Sequence, residues 1–184
     1  MDLPWGDERT RQFITNVGLI TSDGPHGQNI MACEWTHHIS YSPGLIAVCI
    51  KPDDATHANI QKTKEFGINL CAADHTVLSS VAGGYSGEDH DKIGALKELG
   101  FEFYRAKKIK PLMVRGAAMN VECKLVKELS LGDHTMFIGE VVEASRVQIL
   151  NSAYSHHKLR LAFRPAGFGQ LKSSLHTILK SLNK

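Results

Sequence analysis

A chain of 184 residues with a net charge of +2, 42% hydrophobic and 22% charged residues, has the size and composition of one globular domain. The near-balanced charge argues against a nucleic-acid or membrane-surface binder. No apolar run approaches the roughly 20 residues of a spanning helix, and the opening MDLPWGDERTRQF lacks the basic segment and apolar core of a signal peptide, so a cytoplasmic protein is expected.

Residues 9–17 read as a short helix or an extended lead-in. GLITS (Gly18–Ser22) reads as a strand, and DGPHGQ (Asp23–Gln28) carries the Asp-Gly, Pro and Gly of a turn. A second strand is predicted over Asn29–Thr36. It alternates, yet it carries Glu34, Trp35 and then His37 and His38 where a simple core strand stays apolar. The third strand, Leu45–Lys51, is an ordinary buried run. Past a turn at Pro52–Ala55, Thr56 is placed as the N-cap of a helix that ends before Gly67. FGINLCA (Phe66–Ala72) is a strand. Two helices are predicted next, one capped by Asp74 and one with Ile93, Leu96 and Leu99 at helical spacing, stopped by Gly100. A basic stretch, FEFYRAKKIKPLM, follows. MNVECKL alternates with one wet face, and a short turn at SLGDH leads into TMFIGEVVEA, so these two strands are antiparallel. The C-terminal 170–184 reads as a surface helix or tail. Strands in hairpins with helices between some of them favour an antiparallel, mostly β (α+β) domain with peripheral helices.

The chemistry-bearing patterns are mostly exclusions. Cys33, Cys49, Cys71 and Cys123 lie far apart in apolar runs and read as reduced, buried thiols rather than a disulfide or zinc framework. Ten histidines show no HExxH, and His37-His38 and His156-His157 are adjacent pairs whose side chains diverge on a strand, so no metal site is expected. There is no GxSxG elbow, no P-loop and no GxGxxG after a strand. One positive pattern remains. Lys51 ends a strand, and Thr56 and His57 open a helix whose free amides and partial positive charge suit a phosphate. A capped helix with solvated charges is the plainer reading of the same residues. A ligand anchored there could lie along Asn29–Thr36, whose main chain could read a heteroaromatic edge.

The run GQNIMACEWTHHISYSPGLIAVCIKPDDATHANIQKTKEFGINL resembles the flavin reductase-like, FMN-binding split-barrel family. The shared pattern comprises Asn29, Met31, Ala32, Trp35, Ser42-Pro43, the apolar Leu45–Ile50, Thr56-His57 and Phe66–Asn69. YSGEDHDKI (Tyr85–Ile93) and GDHTMFIGEV (Gly132–Val141) resemble two later family segments, in the right order; Gly44 and Ile93 depart from the pattern. The resemblance implies a six-stranded antiparallel split β-barrel with Greek-key topology, spanning the chain as a single domain with its core at about 10–150 and a peripheral 151–184, and acting as a homodimer. It implies FMN with its ring along Met31, Ala32, Cys33, Glu34 and Trp35, flanked by Asn29 and Ile50. Its phosphate would lie near Lys51, Thr56 and His57, with Lys92 close by and His134 facing the incoming reductant or substrate. Two activities stay open. One is an NAD(P)H-dependent flavin or ferric reductase delivering electrons to free flavin or iron(III). The other is an FMN-binding electron carrier that a protein donor reduces and a protein acceptor discharges.

Overall fold

The computed structural model describes residues 3, 7–13 and 16–146, the side chain of residue 11 excepted. The expectations for 151–184, including the tail helix, lie outside the described residues. Nine strands and three α-helices follow one another after a 3-10 turn at Thr10–Gln12: β1 (Gly18–Ser22), β2 (Asn29–Cys33), β3 (Thr36–Tyr41), β4 (Gly44–Ile50), α1 (Ala55–Thr63), β5 (Glu65–Leu70), α2 (Thr76–Gly84), α3 (Lys92–Glu98), β6 (Phe103–Arg105), β7 (Leu112–Val114), β8 (Met119–Leu131) and β9 (His134–Arg146). The molecule is therefore mostly β with packed helices.

Seven strands form one antiparallel sheet in the order β2-β1-β5-β8-β9-β4-β3, and β6 pairs with β7. Seven strands stand where six were expected, because the run Asn29–Thr36 is not one strand. It breaks at Glu34-Trp35, with β2 paired to β1 and a separate β3 paired to β4. This break also determines the shape of the sheet. β2 and β3 are its two edges, yet only Glu34 and Trp35 join them. A flat sheet at about 4.8 Å per strand would part the edges by almost 30 Å, whereas the junction reaches about 11 Å. The sheet must curl until the end of β2 meets the start of β3, its two edges staying unpaired elsewhere. At the seam Cys49 N donates to Trp35 O (3.1 Å), Cys33 Sγ donates to Cys49 O (3.4 Å), and Thr36 Oγ1 donates to Cys33 O (3.0 Å).

Curling creates two cores. Ile20, Val48, Ile50, Phe66, Ile68, Val121 and Phe137 fill the inside. Leu19 and Ile30 face outward onto Leu78 and Val81 of α2 and Ile93 and Leu96 of α3. Every residue of β1 is buried, with Leu19 and Ile20 turned to opposite cores. The four cysteines are free, with Cys33 and Cys123 buried and Cys49 and Cys71 half-buried.

The wet face predicted for MNVECKL is covered at Asn120 and Glu122 and exposed at Lys124. Asn120 and Glu122 are buried beneath the 101–118 segment. Asn120 Nδ2 donates to Asn69 Oδ1 (2.7 Å) and Val114 O (2.9 Å). The Glu122 carboxylate accepts the backbone amides of Lys107 (2.9 Å) and Lys108 (2.6 Å). Polar residues at strand spacing thus mark inward hydrogen-bonding partners here, satisfied as buried polar groups must be. No helix among the described residues is long and apolar enough to cross a membrane.

Candidate functional site

β2 is an edge strand, so every second residue's N–H and C=O on its outer side lack a strand partner. Against it stand the first turn of α1, the end of α2 and the loop to α3. Together they line a small open cleft, with Asn29, Met31 and Ala32 of β2, Asp54, Ala55 and Thr56 at α1, and Ala82, Gly83, Tyr85, Ser86, Gly87 and Lys92 opposite. Small residues make it narrow. A Cβ on Gly87 would lie 2.4 Å from Asn29 Oδ1, and one on Gly83 would lie 3.1 Å from the Ala32 side chain.

One end of the cleft is rich in donors. α1 begins at Ala55 rather than at Thr56. Asp54, extended at φ −83° and ψ 135°, is the N-cap, and its carboxylate makes no capping hydrogen bond. The expected cap, Thr56, therefore lies within the first turn, buried in the cleft wall. Its Oγ1 accepts from Asn29 Nδ2 at 2.9 Å, which leaves the hydroxyl proton available to a ligand. Lys92 is only 3% exposed. Its ammonium donates to Ala82 O and Tyr85 O, both at 3.1 Å, where α2 ends and a helix dipole favours a cation. The third N–H has no recorded protein acceptor. Burial lowers the Lys92 pKa to about 8, and the Asp54 charge opposes that shift. At neutral pH the group is still mostly a cation. Asp54 moves the other way: burial raises its pKa, helped by Asp53, while a hydrogen bond from the Lys51 backbone and the charges of Lys92 and Lys51 pull it down.

A second group of residues adjoins the cleft through α1. His134 packs against Trp35 with ring centroids 4.6 Å apart and planes tilted by 47°, and its Nδ1 lies 2.7 Å from Asp133 Oδ1. The His134 bond holds the Asp133 carboxyl below its ordinary range. Trp35 is 45% exposed, so this pair presents an aromatic surface to solvent.

The structure brings five of the expected residues into the cleft: Asn29, Met31, Ala32, Thr56 and Lys92. Cys33 and Ile50 lie in the inner core. His57 turns away from the cleft. Its Nε2 is 2.9 Å from Thr135 Oγ1, its ring meets Phe137 edge-on at 4.9 Å, and burial lowers its pKa. Glu34 and Lys51 are exposed. Trp35 lies with His134 rather than in the cleft. A helical step of about 100° turns Thr56 and His57 in different directions here.

Residues 10–163 match the family profile described as the flavin reductase like domain. The chain belongs to this family. It is 33% identical over 129 residues to an uncharacterized protein of Archaeoglobus fulgidus, covering 69% of this chain and 70% of that one. A ferric-chelate reductase (NAD(P)H) of the same organism is 29% identical over 128 residues, covering 68% and 72%. Among solved structures, the flavoredoxin of Desulfovibrio vulgaris (Miyazaki F) matches with a TM-score of 0.68 at 27% identity, covering 80% and 78%. An FMN-binding protein from Thermus thermophilus shares the fold, with a TM-score of 0.72 at 21% identity over 83% and 81%.

Sequence reasoning missed Asp54, Ala55, Ala82, Gly83, Tyr85, Ser86 and Gly87 as cleft residues. The signal for three of them was present, since the family-like YSGEDHDKI contains Tyr85, Ser86 and Gly87 as well as Lys92.

Proposed function

We propose that the cleft binds FMN and that the protein is a flavin-dependent oxidoreductase of the NAD(P)H:flavin or ferric reductase type. The observation that carries this reading is the buried Lys92 ammonium, in one cleft with the Thr56 hydroxyl and the uncapped first turn of α1. A lysine is almost never buried without a partner, and this one, held by two carbonyls, shares its cleft with the Thr56 hydroxyl. The residues fit the group. Lys92 and Thr56 would hold the phosphate, and the edge of β2 at Met31 and Ala32 would offer main-chain groups to the flavin. Bound FMN would supply the redox chemistry, accepting a hydride and passing electrons onward. The chain would hold and orient it. Donors near the ring favour the reduced, anionic form. The Trp35–His134 surface is the approach for the nicotinamide or acceptor, since an exposed indole stacks on flat rings.

The reading draws support from family membership and from relatives named as ferric-chelate reductase, NADH-dependent FAD reductase and FMN reductase (NADH). In it, the curled sheet is a split barrel and the working form is a homodimer, with the exposed Ile39 and Tyr41 of edge strand β3 as contact candidates. Light scattering on the purified protein should return twice the 20.3 kDa chain mass.

The likeness to flavoredoxin favours a second reading, an FMN carrier served by protein partners. Anaerobic stopped-flow separates the two. Rapid bleaching of bound flavin by NADH or NADPH supports the reductase, and inertness to both supports the carrier. A protein that purifies colourless and does not bind added FMN sinks both.

A further inference from the structure

The cleft contains one acidic group that an anion site has no evident use for. Asp54 lines it together with Thr56 and Lys92. An aspartate at an N-cap ordinarily turns its carboxylate onto the N2 or N3 amide; the Asp54 carboxylate makes no such bond and interacts instead with the backbone N–H of Lys51. It is also absent from the ion pairs of the described residues, including any with Lys92. The charges that face it are Asp53 beside it in the chain, Lys51 at the end of β4, and Lys92 across the cleft on α3. Its own backbone N–H is tied to Lys51 O at 3.1 Å, which fixes the residue where the helix opens. Half-buried charges interact through an effective dielectric far below that of water, so this carboxylate is felt by anything bound at the donor-rich end.

We propose, building on the FMN reading, that Asp54 is a specificity residue that reads the charge of the ligand at the mouth of α1. In the empty cleft its negative charge balances the buried Lys92 ammonium. When a phosphate enters, Lys92 gains a second anionic partner and Asp54 becomes a repulsive neighbour. The repulsion grows with ligand charge. It is absent for an uncharged flavin, modest for a singly charged phosphate ester, and largest for a phosphomonoester, which carries between one and a half and two negative charges at neutral pH, roughly. The site thus holds FMN less tightly than its donors alone would allow, which suits a flavin that must exchange between proteins or serve as substrate.

The test compares FMN with riboflavin, which has the same ring and chain without the phosphate. Dissociation constants for both are read from flavin fluorescence in the native protein and in Asp54→Asn and Asp54→Ala, with thermal melts confirming that both variants fold. Both substitutions should tighten FMN by about tenfold at low salt and leave riboflavin within about twofold, with the FMN gain shrinking as salt rises. Weakened FMN binding in either variant overturns the proposal, as does an equal change for both flavins. A gain in Asp54→Asn that Asp54→Ala does not share assigns the effect to a new helix cap and also overturns it. If the native protein binds neither flavin, the FMN reading itself fails, and the charge-reading role with it.

Discussion

Burying an ammonium costs free energy unless oxygen acceptors surround it, and two carbonyls supply most of what Lys92 needs. The remaining N–H is the part a ligand can use. Lys92→Met should weaken FMN binding by roughly tenfold to a hundredfold, the usual span for a charge-assisted hydrogen bond. Thr56→Ala should weaken it by about tenfold or less. His57→Ala should leave the affinity within about twofold, because its ring contacts Thr135 and Phe137 instead of the cleft. Fluorescence titration of the three variants checks this ordering; a His57→Ala loss matching that of Thr56→Ala would place the phosphate elsewhere. The sequence pointed to Thr56 and His57 as one unit. Residue type alone could not separate them, since the direction each takes from the first turn depends on where the helix starts, and it starts at Ala55.

Between elements, the buried carboxylate of Glu122 does what a backbone partner does elsewhere. It receives two amides of the 106–111 loop and fastens that loop over β8. Lys110 N to Glu65 Oε2 (3.0 Å) and Leu112 N to Gln28 Oε1 (2.9 Å) continue the same fastening. The basic side chains of the loop are thereby left outside while its backbone is satisfied within. Glu122→Ala removes both acceptors and should cost roughly 3 kcal/mol, lowering the melting temperature by about 10 °C. Glu122→Gln keeps one acceptor oxygen and should cost less. A melt of the alanine variant within a degree or two of the native one would refute the account. The alternation of MNVECKL correctly announced a strand. It left Asn120 and Glu122 on a wet face that stays wet only at Lys124, because period two shows that two faces differ, not which one is covered, and the covering loop is an upstream segment.

For the whole molecule, two histidines set a direction for pH. Burial lowers the pKa of His57, and of His75, which sits at the start of α2. Each is held neutral in the folded state, while the unfolded chain takes up its proton near the ordinary value of about 6.5. The unfolded state therefore binds more protons as pH falls below that value, and stability contributed by these groups is full above it and lost on acidification. Denaturant melts should show a falling midpoint from pH 7.5 to pH 5.5, and His57→Gln should flatten part of that fall. A midpoint that rises on acidification would contradict the assignment. The sequence by itself determined the mostly β character, the long β8–β9 hairpin, the absence of nucleotide-binding and metal motifs, and the family, because these depend on local periodicity and on short ordered motifs. The tertiary structure alone decided that Asn29–Tyr41 holds two strands at opposite edges of one sheet. It also decided that those edges meet at the Glu34-Trp35 junction, that Asp54 shares a cleft with Lys92, and that Trp35 belongs with His134. Each of these depends on how far the sheet curls, and curl is the summed twist of seven strands packed against two cores, which no single segment of the chain contains.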